Sequence, residues 1–186
     1  MIGFALCGSF CTISKALDTM KRMVNRGYDI LPIMSYNAYN TDTRFGKAEE
    51  IRRSVLDISG REVIHTIVDA EPLGPQITLD ALIIAPCTGN TLAKIALGVT
   101  DTPVCMAAKA HLRNDKPLIL ALATNDALSA NLNNIATLLN RKSIYFTPMV
   151  QDDPIKKPHS LVADFNLIED TLTKAMIGIQ PSKIFI

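Results

Sequence analysis

A run of small and polar residues directly follows the apolar segment ALIIA. The run consists of Pro86, Cys87, Thr88, Gly89, Asn90 and Thr91. Hydroxyl and amide side chains can hydrogen-bond a planar heterocycle, and Pro86 and Cys87 could pack against such a ring. The alternative is a helix N-cap, with Thr88 or Asn90 capping the helix that carries Leu92. Because capping needs only one such residue, the length of the run favours a ligand-binding loop.

A second candidate site is the turn CGSFCT, which follows an apolar segment and leads into a helical pattern. A helix N-terminus favours a phosphate group because its free N–H groups and its dipole both attract an anion. Gly8 lets a ligand approach the backbone, and Ser9 supplies a hydroxyl group. The turn therefore predicts a mononucleotide phosphate site or, alternatively, an ordinary strand-to-helix turn. The chain contains neither GxGxxG nor GxxxxGK[ST], which argues against dinucleotide-binding and P-loop sites.

The periodicity of the apolar residues predicts an alternation of strands and helices. The predicted strands are Ile2–Cys7, Tyr28–Ser35, Ala81–Ala85, Pro117–Ala123 and Ser143–Thr147. The predicted helices are Thr12–Arg26, Lys47–Ile58, Thr102–Leu112, Ala127–Leu139 with Asp126 as its cap, and Leu161–Met176. This alternation indicates an α/β fold, a doubly wound parallel sheet with helices on both faces and hence three layers. We expect residues 1–186 to form a single domain that ends in a C-terminal helix and tail, about residues 161–186.

The loops at one edge of this predicted sheet share a composition. In an open parallel sheet, ligands bind beyond the carboxyl ends of the strands. In this chain those ends carry Gly8–Cys11, Ser35–Asn37, Pro86–Thr91 and Thr124–Asp126. The four loops are rich in hydroxyl and amide groups and lack clustered charges or a set of metal ligands. They predict a largely uncharged pocket, with no metal, along this edge.

The bulk composition narrows the classes of function. The chain has 186 residues and a formal net charge of +1, so its charge gives no indication of a nucleic-acid partner. No apolar run approaches the length of a membrane span, and the first residues lack the basic region of a signal peptide. The four cysteines have no paired CxxC spacing, which favours buried or loop thiols over zinc ligands or disulfides. We therefore expect a cytoplasmic protein.

The segment DALIIAPCTGNTLAKIALGVTDT resembles the flavoprotein family of homo-oligomeric flavin-containing cysteine decarboxylases. Members share the segment APxxxNTLAKIAxGxxD, a Gly-Ser turn after the first strand, and a KPxxxAxxxN strand. This chain has all three, at Ala85–Asp101, Gly8–Ser9 and Lys116–Asn125. The resemblance implies a Rossmann-like fold, bound FMN, and assembly into a trimer or dodecamer with FMN at the contacts between protomers.

The motifs of the family carry over to individual positions. The resemblance assigns these residues to FMN: Gly8, Ser9 and Cys11 on the phosphate side, Ser35 after the second strand, Pro86, Cys87, Thr88, Gly89, Asn90 and Thr91 along the flavin, and Ala123, Thr124 and Asn125 opposite them. His65 stands where the decarboxylases carry a catalytic histidine. The alternative for His65 is a packed core residue, the more common state of a lone histidine in an apolar setting.

Two departures from the decarboxylase pattern argue against decarboxylation of a cysteine derivative. The motif PAMN is replaced by LATN at Leu122–Asn125, and no cysteine follows Cys105, although the decarboxylases have a late flap with a redox-active cysteine. The stretch Ala123–Phe165, together with the opening GFALCGSFCTI, resembles a narrower family, the B subunits of dipicolinate synthase from spore-forming bacteria.

This second resemblance implies an FMN-binding subunit that helps to oxidise dihydrodipicolinate to dipicolinate in the mother cell, together with an A-type partner that uses NAD(P). Forming the pyridine removes two hydrogens, and an oxidised flavin can accept a hydride while a base takes the proton. Because the substrate is a dicarboxylate, Lys156, Lys157 and His159 are candidate substrate-binding residues; a solvated loop or a docking surface for the A-type partner are the alternatives.

Two other functions stay open. One is an FMN-dependent decarboxylase of the phosphopantothenoylcysteine type or a prenyl-flavin-type transferase, and the other is a non-catalytic FMN-binding regulatory subunit.

Overall fold

The computed structural model describes residues 1–186; it has the five predicted strands in order, together with two short strands and two short helices that were not predicted. The strands are β1 (Ile2–Leu6), β2 (Ile30–Met34), β3 (Ala81–Cys87), β4 (Leu118–Thr124), β5 (Ile144–Phe146), β6 (Met149–Val150) and β7 (Leu161–Ala163). The helices are α1 (Ile13–Asn25), α2 (Tyr36–Asn40), α3 (Ala48–Ser59), α4 (Ile67–Ala70), α5 (Gly89–Leu97), α6 (Pro103–Leu112), α7 (Leu132–Leu139) and α8 (Ile168–Ala175). Short 3₁₀ turns precede α1 and α8. No helix combines the length and the apolarity needed to cross a membrane.

The first five strands form the parallel part of a mixed sheet. Its order is β2-β1-β3-β4, and β5 pairs with the first half of β4. The strand order reverses between β1 and β3, which puts the carboxyl ends of these two strands at a topological switch point. Pro32 lies in the outermost strand, β2, where its missing N–H group is tolerated. The predicted Rossmann-like α/β fold is confirmed.

Helices cover both faces of the sheet because each strand sends alternate side chains to opposite sides. In β3, Leu82 and Ile84 join the core beneath α5, α6 and α7. Ala81 and Ile83 join the core beneath α1, α3 and α8. The sheet is therefore buried on both faces, which explains why its central strands are continuously apolar.

The predicted helix Leu161–Met176 is wrong in its first part. Leu161–Ala163 instead forms β7, which pairs antiparallel with the end of β4 and with β6. The helix begins only at Ile168, after a 3₁₀ turn that Asp164 caps through the N–H group of Asn166. Backbone pairing with an open stretch of β4 outweighs the local helical pattern here.

The predicted helix Ala127–Leu139 begins five residues later than expected, at Leu132. Asp126 does not cap it. Its carboxylate instead accepts hydrogen bonds from the side chains of Thr124 and Asn131, and its carbonyl accepts from the N–H group of Asn131. These bonds hold the residues after β4 in a turn, so the helix cannot start until that turn is complete.

Candidate functional site

The β3–α5 loop presents its polar side chains at the switch point. Thr88 is the N-cap of α5, and its hydroxyl oxygen accepts a hydrogen bond from the Thr91 N–H group at 3.2 Å. The Thr91 hydroxyl in turn donates to the buried Cys7 thiol at 3.3 Å. The capping interpretation therefore holds for Thr88. The predicted contacts Pro86 and Cys87 are the last two residues of β3, and both are buried.

A cavity of about 620 Å³, here called the first cavity, opens beyond the carboxyl ends of β1, β3 and β4. It brings together these predicted residues: Gly8, Ser9, Cys11, Thr88, Gly89, Asn90, Ala123, Thr124, Asn125 and Lys157. Its wall also contains residues that were not predicted to bind a ligand: Thr12, Asp126, Asp152, Ser160 and Val162. Segments distant in the chain thus meet in one cleft.

A second cavity of about 470 Å³ adjoins the first and shares Gly8, Thr88 and Asn90 with it. It contains the other predicted residues Ser35 and Thr91, and adds Tyr36, Asn37, Lys94, Asp101 and Thr102. The hydroxyl oxygen of Ser35 accepts a hydrogen bond from the Ala38 N–H group, so this side chain is the N-cap of α2. The two cavities form one elongated cleft, large enough for a mononucleotide with a fused ring system. Pro86 and Cys87 line neither of them.

Gly8 and Gly89 have no side chains, and this keeps space open in and around the cleft. A side chain on Gly8 would project toward the Cβ of Asn37 and the ring of Phe10. Because Gly8 lines both cavities, this side chain would reduce the space where they meet. A Cβ on Gly89 would lie 2.5 Å from the Asn131 amide nitrogen and 2.6 Å from the Thr124 hydroxyl. The absence of a side chain at Gly89 therefore lets the β4 loop pack directly against the start of α5.

One lysine–aspartate pair lines each cavity. In the first, the Lys157 ammonium lies 2.6 Å from an Asp152 carboxylate oxygen, which lowers the pKa of Asp152 and raises that of Lys157. In the second, Lys94 lies 2.9 Å from Asp101. The cleft was predicted to be largely uncharged; it is lined by two lysines and three aspartates, of which Asp126 has no lysine partner. Lys94 was detectable in the sequence, because it is four residues after Asn90 and hence on the same helix face.

The remaining predicted residues lie away from the cleft. The His65 ring stacks on the Tyr39 ring with a centroid distance of 3.9 Å, and its Nδ1 donates to the Val63 carbonyl oxygen at 3.1 Å. Neither cavity contains His65. Lys156 and His159 are exposed on the loop between β6 and β7 and do not line either cavity. Of the three cationic candidates for substrate binding, only Lys157 is in the cleft.

The cysteines have different environments. Cys7, Cys87 and Cys105 are buried, whereas Cys11 is exposed at the mouth of the first cavity. Burial raises the pKa of Cys7 to about 12, against a smaller opposing effect of the hydrogen bond from Thr91. Burial also raises the pKa of Cys87 and of Cys105. These three thiols are therefore protonated packing groups, and the expectation of buried or loop thiols is confirmed.

Comparisons with known proteins agree with this architecture. The B subunit of dipicolinate synthase from Bacillus subtilis (strain 168) is 44% identical over 185 residues, which cover 100% of this chain and 92% of that protein. The crystal structure of the dipicolinate synthase B subunit from Bacillus halodurans is 42% identical, with a TM-score of 0.91 over 100% of this chain and 95% of that one. AnUbiX (PadA1), solved with FMN and dimethylallyl pyrophosphate, shares the fold at 19% identity, with a TM-score of 0.60 over 94% and 87% of the two chains. The sequence model of the Flavoprotein family matches residues 1–175. The chain belongs to the Flavoprotein family.

Proposed function

We propose that this chain is the FMN-binding member of a two-subunit oxidoreductase that converts dihydrodipicolinate to dipicolinate during sporulation, together with a nicotinamide-dependent A-type partner. The observation that carries the proposal is the pair of adjoining cavities at the switch point, in a chain that resembles the dipicolinate synthase B subunits over its whole length. The dicarboxylate substrate, the homo-oligomeric assembly and the location in the mother cell belong to the same proposal.

The second cavity suits the phosphate end of FMN. It lies at the N-terminus of the nine-residue helix α5, where free N–H groups and the helix dipole favour an anion. Ser35 and Asn37 add polar groups, and Lys94 adds a cation. The first cavity is less suitable, since two aspartates, Asp126 and Asp152, and only one lysine line it. The phosphate contacts predicted at Ser9 and Cys11 then lie nearer to the middle of the cofactor.

The first cavity suits the flavin ring. Ala123, Thr124 and Asn125 form one wall, and the start of α5 forms the other. When bound, FMN supplies the capacity to accept or donate a hydride. The groups of this chain would hold the ring between the two walls, and Lys157 is the cation in this cavity that can contact a substrate carboxylate.

A comparison of FMN with riboflavin tests the proposed orientation. Riboflavin has the same ring without the phosphate. Lys94→Ala and Ser35→Ala should therefore weaken the binding of FMN, by about tenfold for Lys94→Ala, and leave the binding of riboflavin unchanged. Lys156→Ala, an exposed lysine outside both cavities, is the matched control. Equal losses for both flavins would place the phosphate elsewhere.

Cofactor loss without loss of fold tests the site itself. Ser9→Ala and Asn90→Ala should reduce bound FMN, seen as flavin absorbance of the purified protein, while the helical circular dichroism stays that of the parent. Unfolding of both variants would indicate capping or packing roles for these side chains instead.

Reconstitution with the A-type partner tests the reaction. Turnover of dihydrodipicolinate only by the mixture of FMN-loaded chain and partner supports the proposal. Full activity of the partner alone would favour a non-catalytic regulatory role for this chain. Decarboxylation of phosphopantothenoylcysteine, or prenylation of the flavin, by this chain alone would favour the decarboxylase or transferase alternative.

A further inference from the structure

A third cavity, of about 310 Å³, lies outside the cleft, between the C-terminal end of α5 and the helix α6. Its floor is apolar and consists of Ile95, Val99, Cys105, Ala108 and Leu112. Ile95, Cys105 and Ala108 are buried, so the floor is part of the hydrophobic core. A concave apolar surface of this size can accommodate a single small ring.

The rim of the third cavity has one sign of charge. Lys109, Arg113 and Arg141 line it, and no aspartate or glutamate does. None of these three cations takes part in an ion pair. Three exposed cations without a carboxylate partner therefore surround an apolar floor, in a chain whose net charge is only +1.

The acidic side chains nearest in sequence to the two cations of α6 and its C-cap already form ion pairs with other lysines. Asp101 pairs with Lys94 at 2.9 Å, on the side of the second cavity. Asp115 pairs with Lys142 at 3.0 Å, at the surface. The chain thus supplies no carboxylate of its own to the rim of the third cavity.

The three cations are exposed, so their mutual repulsion is small, and it is the available donors rather than strain that favour an anion. Lys109 and Arg113 are four residues apart, on α6 and at its C-cap, and like charges at this spacing repel each other. Arg141 is held in place because its Nη1 donates to the carbonyl oxygen of Ile95 at 3.2 Å. Its other N–H groups remain available for a ligand. A bound anion would relieve this small repulsion and use a guanidinium that is already oriented.

We propose that the third cavity binds a small aromatic carboxylate, with the ring on the apolar floor and the carboxylate groups at the three cations. Guanidinium groups suit this ligand because they bind carboxylate oxygens in pairs and also stack on aromatic rings. A ring with two carboxylates uses the cations more fully than a ring with one. The choice of pyridine-2,6-dicarboxylate as the first probe rests on the proposed function; the chemical class of the ligand does not.

The third cavity is placed so that it can influence the cleft. Thr100 lines the third cavity, and the next residues, Asp101 and Thr102, line the second. Helix α5 also connects the cleft to the third cavity, from Asn90, which lines both cavities of the cleft, to Ile95 in the floor of the third. A ligand here would contact none of the residues that line the cleft.

Methyl NMR of the full chain, with labelled isoleucine and valine, tests the proposal without measuring turnover. Pyridine-2,6-dicarboxylate and benzoate, each added to the FMN-saturated protein, should shift the signals of Ile95 and Val99. Arg113→Ala and Lys109→Ala should each weaken binding, by up to about fivefold, and Arg113→Lys should weaken it less because it keeps the charge. Lys142→Ala, a neighbouring lysine that does not line the cavity, should bind as the parent does.

Other results would overturn the proposal. The site would be disproved if neither ligand shifted the signals of Ile95 and Val99. It would also be disproved if the Arg113 and Lys109 variants bound the ligands as tightly as the parent. Equal shifts with inorganic phosphate would show that the cations bind any anion and that the ring contributes nothing. Loss of binding upon saturation with FMN would place the ligand in the cleft. Failure of the chain to oxidise dihydrodipicolinate with a partner would leave this binding test unaffected.

Discussion

The contact between Gly89 and the β4 loop yields a prediction whose size can be worked from distances. In Gly89→Ala, the new Cβ would lie 2.5 Å from the Asn131 Nδ2, 2.6 Å from the Thr124 Oγ1 and 2.9 Å from the Asp126 Oδ1. Ordinary contact requires the Asn131 amide to move by about 1 Å. That amide donates to both carboxylate oxygens of Asp126 at 2.9 Å, so the movement breaks or misaligns these hydrogen bonds.

The expected loss of stability is about 1–2 kcal/mol. Hydrogen bonds to a charged group contribute about 1.5–3 kcal/mol, and replacing glycine by alanine returns at most the mid-helix value of about 0.5–1 kcal/mol, since Gly89 is the first residue of α5. For a chain of this length the difference lowers the melting temperature by roughly 2–8 °C. Urea denaturation, followed by circular dichroism, measures the free energy of unfolding directly.

A double-mutant cycle identifies the cause. Asn131→Ala removes the nearest clashing atom and has its own cost, because it leaves Asp126 with fewer donors. If the clash is the cause, adding Gly89→Ala to Asn131→Ala should cost much less than adding it to the parent. Strictly additive effects, or a Gly89→Ala variant within about 0.5 kcal/mol of the parent, would refute the packing argument.

Three further predictions concern the mouth and wall of the cleft. Gly8→Ala should leave the free energy of unfolding nearly unchanged, because its Cβ would meet other atoms only at 3.4 Å or more, but it should weaken FMN binding measured by flavin fluorescence. The folded protein should react with one equivalent of a thiol reagent at mildly alkaline pH, and Cys11→Ser should abolish this fast phase, since the other thiols are buried; several fast equivalents would contradict the burial. The pKa of Asp152 is lowered by its bond to Lys157, so the stability it contributes is present above the unfolded pKa and is lost as pH falls through the folded pKa. Asp152→Asn should therefore show a shallower decline of stability in acid, and an identical acid profile would count against the pair.

The parallel sheet was predictable because its strands are apolar on both faces and each is followed by a small polar loop. These two features are local in sequence, and the carboxyl-end rule then brings the loops together. The strand β7 was not predictable in this way. Leu161–Ala163 fits a helical pattern as well as a strand, and its partner, the end of β4, is about forty residues earlier in the chain.

The polar residues of the site were predictable to different degrees. Residues on regular elements could be placed, because periodicity fixes which face they occupy; Asn90 and Lys94 on α5 are an example. Residues of the β6–β7 loop could not, since no periodicity specifies which of Lys156, Lys157 and His159 turns toward the cleft. In the structure, Lys157 lines the first cavity, where its ammonium group pairs with Asp152.

The two lysine–aspartate pairs limit how strongly the cleft can attract an anion. Lys94 and Asp101 cancel each other in the second cavity, and the Asp101 side chain is 58% exposed, so this pair contributes at most about 1 kcal/mol to stability. A phosphate group can therefore replace Asp101 as the partner of Lys94 at little cost, but the net gain is only the difference between the Lys94–phosphate contact and the Lys94–Asp101 contact. This reasoning limits the preference for FMN over riboflavin to about tenfold to a hundredfold from Lys94 and the start of α5 together. A much larger measured preference would require a further cation from outside this chain, such as one from a second copy at the mouth of the cleft.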